Sequence, residues 1–295
     1  VISPVALLGN LPWKEWLAPA PAPTPTSTSI STVTVTIPTK TFTPILPTQS
    51  PVPTKTSTPA FTPTATPLST EITDPKGVTM RLVPAGTFTM GSNNGASDEQ
   101  PVHDVYLNDY YMDKYEVTNA LYKACVDVGS CNLPPHNTDR FNDSKYVEHP
   151  VVYVDWNMAM TYCEWRDAIL PTEAQWEKAA RGTDGRTYPW GEGIDKTFAN
   201  YSQNVGDTTA VGSYPSGVSP YGLYDMAGNV WEWVSDWFLN TFYQNSPPGN
   251  PLGPDTGKYR VLRGGAWSHV DSIVRSANRN WYTPTVADYL VGFRC

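Results

Sequence analysis

The last 36 residues, RVLRGGAWSHVDSIVRSANRNWYTPTVADYLVGFRC, hold the side chains best placed to do chemistry. Pieces that read as rigid (Arg263-Gly264-Gly265, Arg275, Arg279, Gly292-Phe293-Arg294-Cys295) alternate with pieces that follow no folding period. The irregular residues are Ser268, His269, Val270, Asp271, Ser272 and Ile273, then Tyr282, then Val286, Asp288, Tyr289 and Leu290. His269 is the only histidine beyond residue 149, and with Asp271 or Asp288 it could act as a general base. The same residues could equally form a recognition surface. Tyr282 and Tyr289 would then be the anchors, because tyrosine offers contact area at little entropic cost.

Two further groups carry chemistry. Asn200, Tyr201 and Asp207 place oxygens in a loop rich in glycine and small polar residues, and Asn229, Val230 and Glu232 do the same in GNVWEW. Hard oxygen donors from side chain and backbone suit calcium, although such residues also make ordinary turns. Glu232, between Trp231 and Trp233, needs a cation or several donors if it is buried. The four cysteines, Cys125, Cys131, Cys163 and Cys295, fit one local and one long-range disulfide, Cys125–Cys131 and Cys163–Cys295. Three connectivities are open to four cysteines, and the sequence does not select among them. No Cys-x-x-Cys and no ligand spacing among the histidines argues for zinc.

The elements that must position these groups are short. Thr79–Val83 alternates as a strand, Gly86–Gly91 continues it beyond a turn, and Val105–Leu107 and Tyr110–Tyr115 read as further strands. Asp155 can cap a helix through Met158, Tyr162, Cys163 and Trp165. Thr172 with Gln175 forms a capping box that opens a helix over Glu173–Arg181, stopped by Gly182. Beyond Gly182 periodicity fades, so the fold class is α+β with little regular structure, fastened by aromatic packing, side-chain hydrogen bonds, disulfides and ions. Gly264 and Gly265 would give a tight backbone path with Trp267 packed beneath. Arg263, Arg275, Arg279 and Arg294 would be held by carboxylates or carbonyls.

Composition divides the chain at residues 18 and 70. Residues 19–70 hold twelve prolines and seventeen threonines, with Lys40 and Lys55 the only charges. So little apolar bulk cannot offset ordering entropy, and the expected state is a disordered, extended stalk. Residues 1–18 could flank a removed anchor, and residues 71–295 form a domain holding nine of the eleven tryptophans. A net charge of −8 with no basic run argues against nucleic acid, and no apolar run is long enough for a membrane span. Stalk and disulfides together point outside the cytosol, to an extracellular or cell-envelope location.

Seven motifs then occur in order: GTFTMGS at 86–92, YYMDKYEVTNALY at 110–122, LPTEAQWEKAARG at 170–182, YPWG at 188–191, GSYPSGVSPYGLYDMAGNVWEW at 212–233, RVLRGGAW at 260–267 and GFRC at 292–295. Together they resemble the formylglycine-generating enzyme (sulfatase-modifying factor) family over residues 76–295. The resemblance implies a variant C-type lectin fold, and calcium at Asn200, Tyr201, Asp207 and Thr209 and at Asn229, Val230 and Glu232. It also implies a disulfide from Cys295 to Cys163. The family's oxidase holds copper with two cysteines that follow the RGG motif. Here no cysteine lies between Cys163 and Cys295, so neither copper nor formylglycine generation is expected. The tail is also similar to the variable region of retroelement-diversified binding proteins. The irregular residues are all reachable from an asparagine codon by changing adenines, and Lys, Glu, Gln and Met are absent from 268–295. The expectation is a binding module for an unidentified protein or surface ligand. A metal-dependent oxidoreductase of the non-haem iron type is the alternative.

Overall fold

The computed structural model describes residues 68–295, so the expected N-terminal segment and nearly all of the stalk lie outside the described residues. Thr70 O accepts a hydrogen bond from Leu82 N and Ser69 O accepts one from Tyr111, so ordered pairing starts one or two residues before 71. The fold is mixed α+β. The first sheet joins β1 (Glu71–Thr73), β2 (Thr79–Val83) and β5 (Tyr110–Asp113), all antiparallel, and β3 (Gly86–Met90) pairs with β4 (His103–Leu107). The expected strand over 110–115 stops at Asp113, whose carboxylate turns inward to Arg166.

Helices begin where their caps dictate. α1 (Asn119–Asp127) opens on Thr118, whose hydroxyl accepts from Leu121 N at 3.2 Å; it and the short α2 (Thr138–Asn142) are additions to the sequence reading. α3 (Trp156–Trp165) starts at Asp155, which accepts from Met158 N at 2.8 Å. α4 (Glu173–Arg181) has the reciprocal Thr172/Gln175 box, and Gly182 ends it with φ 71°.

The C-terminal half holds a four-stranded sheet that the sequence pattern did not reveal. Its order is β8 (Asn280–Tyr282), β7 (Arg260–Arg263), β6 (Trp231–Trp237), β9 (Val291–Phe293), with β9 parallel to β6. β6 separates two cores: Trp231 and Trp233 pack with Tyr122, Tyr162 and Phe293, whereas Val234 packs with Trp176, Met226 and Val261. Burial on both faces removes the alternation that would mark a strand. Disulfides join Cys125 to Cys131 and Cys163 to Cys295, the second across 132 residues of chain. Both lie in the larger core and leave the chain no free thiol.

Candidate recognition face

The frame of the C-terminal segment is built from paired charges. Arg263, wholly buried, donates to Glu177 at 2.5 Å and to the carbonyls of Ser276, Ala277 and Asn278. Arg275 grips both oxygens of Glu99, Arg279 both oxygens of Glu173, and Arg294 both oxygens of Glu232. Planar guanidinium forks match carboxylates in this way, and the Arg279 fork holds the Glu173 carboxyl below its ordinary range despite burial. Gly264 and Gly265 have φ of 93° and 75°, and a Cβ on Gly265 would lie 2.6 Å from Val274. Only glycine fits there.

On this frame the two irregular loops have pinned backbones. His269 O and Trp267 O accept from Ser202 N and Gln203 N at 2.7 and 2.8 Å, and Asp271 O accepts from the Tyr188 hydroxyl. In the second loop Pro284 O accepts from Trp156 N, Asp288 O from Tyr153 N, and Leu290 O from Trp231 N. The side chains of Val270, Asp271, Ser272 and Tyr289 are exposed, and Ser268, His269, Val286 and Asp288 are half-buried. Ile273, Tyr282 and Leu290 instead lean on the larger core, Tyr282 edge-on to Trp233 with ring centroids 6.5 Å apart. Expected as free contact positions, these three also carry packing.

The indole that lies against Gly264 is Trp176 rather than Trp267. Trp267 is half-buried and lines a pocket of about 80 Å³ with Tyr289, Tyr153, Val152, Asn137, Arg140 and Asp207. Ring centroids of Tyr289 lie 6.3 Å from Trp267 and 6.4 Å from Tyr153, and His136 meets Tyr153 edge-on at 5.6 Å. Tyr153 is held at φ 60°. Nothing local in the sequence marks His136, Arg140 or Tyr153; the fold brings them to the face from the segment before α3.

His269 makes no side-chain hydrogen bond to Asp271 or Asp288. The carboxylates of Asp271 and Asp288 bond to the amides of Ser272 and Leu290 at 2.7 and 2.8 Å. The imidazole stands edge-on to Trp231 at 5.5 Å, its Nδ1 buried without a partner among the described residues. Burial pulls its pKa below the ordinary histidine value. No group of three or more His, Cys, Asp or Glu side chains is placed to hold a metal among the described residues.

The oxygen-rich residues do come together. Asn200 Nδ2 donates to Asp207 O and Asn229 Oδ1, Asn229 Oδ1 also accepts from Thr209 N, and Asn200 O accepts from Asn229 N. Asn200 Oδ1 is buried without a hydrogen-bond partner among the described residues. Asp207 is paired to Arg140 at 2.7 Å and also accepts from Tyr146. Tyr201 is half-buried beside the same loop. Glu232 is clasped by Arg294 and by Trp176 Nε1 at 2.8 Å, so its demand for donors is met inside the protein. Sequence reasoning missed Glu116, which accepts from Asn229 Nδ2 at 2.6 Å and from Val230 N at 3.2 Å. Burial, Asp225 and Glu232 push its carboxyl well above the carboxylate range.

The model of the sulfatase-modifying factor enzyme 1-like domain matches residues 67–295. The chain is 41% identical over 234 residues to serine/threonine-protein kinase Pkn1 of Chlamydia trachomatis, covering 73% of this chain but only 38% of that protein. It is 35% identical over 281 residues to the formylglycine-generating enzyme of Streptomyces coelicolor, covering 72% of this chain and 87% of the enzyme. Among solved structures, Treponema denticola variable protein 1 superposes with a TM-score of 0.65 at 29% identity, over 78% of this chain and 98% of that one.

Proposed function

Because the chain belongs to the sulfatase-modifying factor enzyme 1-like family, we propose that its domain is a ligand-binding module whose recognition face is formed by 268–273 and 282–290 with Trp267 and Tyr153. The observation that carries this reading is the division of labour in the tail. Its buried arginines are spent on internal carboxylates, while Val270, Asp271, Ser272 and Tyr289 project from backbone already pinned by hydrogen bonds. A surface ordered before binding loses little entropy when it meets a partner. The likeness to a variable protein of Treponema denticola supports a tail whose exposed residues are free to change by retroelement diversification. The ligand is a protein or surface molecule outside the cytosol, in keeping with the two disulfides. Oxidase chemistry of the copper type has no thiolate available, since all four cysteines are paired.

We propose calcium for the oxygen-rich loop, where Asp207 would have to give up its Arg140 partner to bind the ion. Asn200, Tyr201, Asp207 and Thr209 would hold one ion, for which the orphaned Asn200 Oδ1 is the waiting donor. Asn229, Val230 and the buried Glu116 would hold a second; Glu232, the ligand expected from the sequence, is instead clasped by Arg294. Such an ion supplies positive charge that ties loops together, and no reaction step.

Metal analysis of the purified protein tests the assignment. Calcium without stoichiometric copper or iron is expected, and it would leave with chelator at a cost in melting temperature. Iron or copper near one equivalent would favour the oxidoreductase reading instead. A near-copy of the DNA encoding 260–295, differing almost only at adenines, would establish diversification.

A further inference from the structure

Nine of the ten arginines in this chain have a carboxylate within 4.0 Å; Arg260, among the described residues, has none. Its guanidinium lies between two indoles, with Cζ 3.7 Å from the ring centroid of Trp156 and 3.5 Å from that of Trp237. Of its five N–H groups the structure satisfies one, from Nη1 to Ser235 O at 2.5 Å. Among the described residues Nε is buried without a partner and Nη2 makes no hydrogen bond. The walls of the slot are fixed. Trp156 Nε1 donates to Val234 O at 2.9 Å, and an irregularity in the β6–β7 register after Trp233 sets Trp237 directly opposite Arg260.

Two stacked indoles attract a cation, but they provide no acceptors, so the hydrogen-bonding capacity of the fork is left over. Burial also draws this guanidinium down to about 10, the direction expected of a cation lacking its counter-ion. The one carboxylate that influences it, Asp236, is wholly buried and already accepts from Glu173 N and the Ser235 hydroxyl. Arg260 also pairs across the sheet with Tyr282, beside the second irregular loop.

We propose that Arg260, held between Trp156 and Trp237, is a binding site for a carboxylate borne by a ligand. The site lies at the β7–β8 margin of the recognition face and stands whether or not the loop residues bind anything. A carboxylate would complete for Arg260 what Glu177, Glu99, Glu173 and Glu232 complete for the other tail arginines.

The test uses the whole protein, with the indole ¹⁵N–¹H resonances of Trp156 and Trp237 and the Arg260 side-chain resonances as reporters. The probes are N-acetyl-Gly-Glu-Gly-amide, its glutamine counterpart and sodium acetate. Saturable shifts with the glutamyl peptide, half-complete on the order of 1 mM, are expected for one exposed ion-pair contact. The glutamine peptide should be at least tenfold weaker, and Arg260→Gln should lose the effect. Acetate saturating as well as the peptide would identify a small free acid as the ligand, and the peptide alone saturating would identify an acidic side chain. Equal shifts from the glutamate and glutamine peptides would overturn the proposal. Should Arg260→Gln not fold, an Arg260 resonance in the wild-type protein that stays still through the glutamyl titration would overturn it too.

Discussion

Tyr282 and Tyr289 look alike in the sequence, and the structure gives them different work. Tyr289 stands 47% exposed among other rings, whereas Tyr282 packs against Trp233 and the larger core. Tyr289→Ala should therefore change unfolding free energy by no more than ~0.5 kcal/mol. Tyr282→Ala should cost about 1–3 kcal/mol in denaturant titration, since it opens space beside a core tryptophan. Equal losses would place Tyr289 in the core and move the recognition face elsewhere. Arg294 makes the opposite case, a charge with no exposure at all, spent on Glu232. Arg294→Met should lose roughly 3–5 kcal/mol because it strands a buried carboxylate. Changing Glu232→Gln as well should recover part of that loss. At this scale the sequence was informative about the arginines, because their spacing among glycines reads as a frame. The partners on α4 (Glu173, Glu177) and near β3 (Glu99) come from segments far away in the chain, which one-dimensional pattern cannot reach.

Short elements governed by local rules were the legible ones. α4 runs over Glu173–Arg181 as its capping box and Gly182 require, and α3 starts on the Asp155 cap. β6 was invisible because tryptophan and valine fill both of its faces. α1 carried its own signals, Thr118 and apolar residues at helical spacing, beside a cysteine pair that looked like a turn. The contact between α4 and β6 yields a pH prediction. Asp236 on β6 accepts from Glu173 N at the head of α4, and burial raises its pKa from 3.8 to about 7. The folded state then keeps a proton that the unfolded chain releases. Its contribution is full below about pH 4 and is lost as pH rises through about 7. In calcium-free buffer the urea midpoint should fall between pH 5 and pH 8, and Asp236→Asn should flatten that fall. A wild-type midpoint that rises over this interval, unaltered by the substitution, would contradict the assignment.

Across the described residues the polypeptide is irregular and made rigid by fasteners: four hydrophobic clusters, a set of arginine–carboxylate clasps and a disulfide that closes 132 residues. Replacing Cys163 and Cys295 together by alanine should cost ~2–5 kcal/mol, read as a lower melting temperature. The C-terminal sheet should loosen first in hydrogen exchange, because β9 would lose its tether. The family motifs made the sulfatase-modifying factor enzyme 1-like domain recognisable in the sequence, in which no cysteine lies between Cys163 and Cys295. The aromatic pocket of Tyr153, Trp267 and Tyr289 was not legible, since the fold assembles it from three separated segments. The central claim is that a rigid frame displays replaceable residues. Its most direct test is a displayed library with 268, 270, 271, 272, 288 and 289 fully randomised, sorted for folded protein and compared with a second library randomised at 263, 264, 265, 279 and 294. Most members of the first library should fold and almost none of the second. Comparable collapse in both would show that the exposed loop residues are structural, and that the face is not a recognition surface.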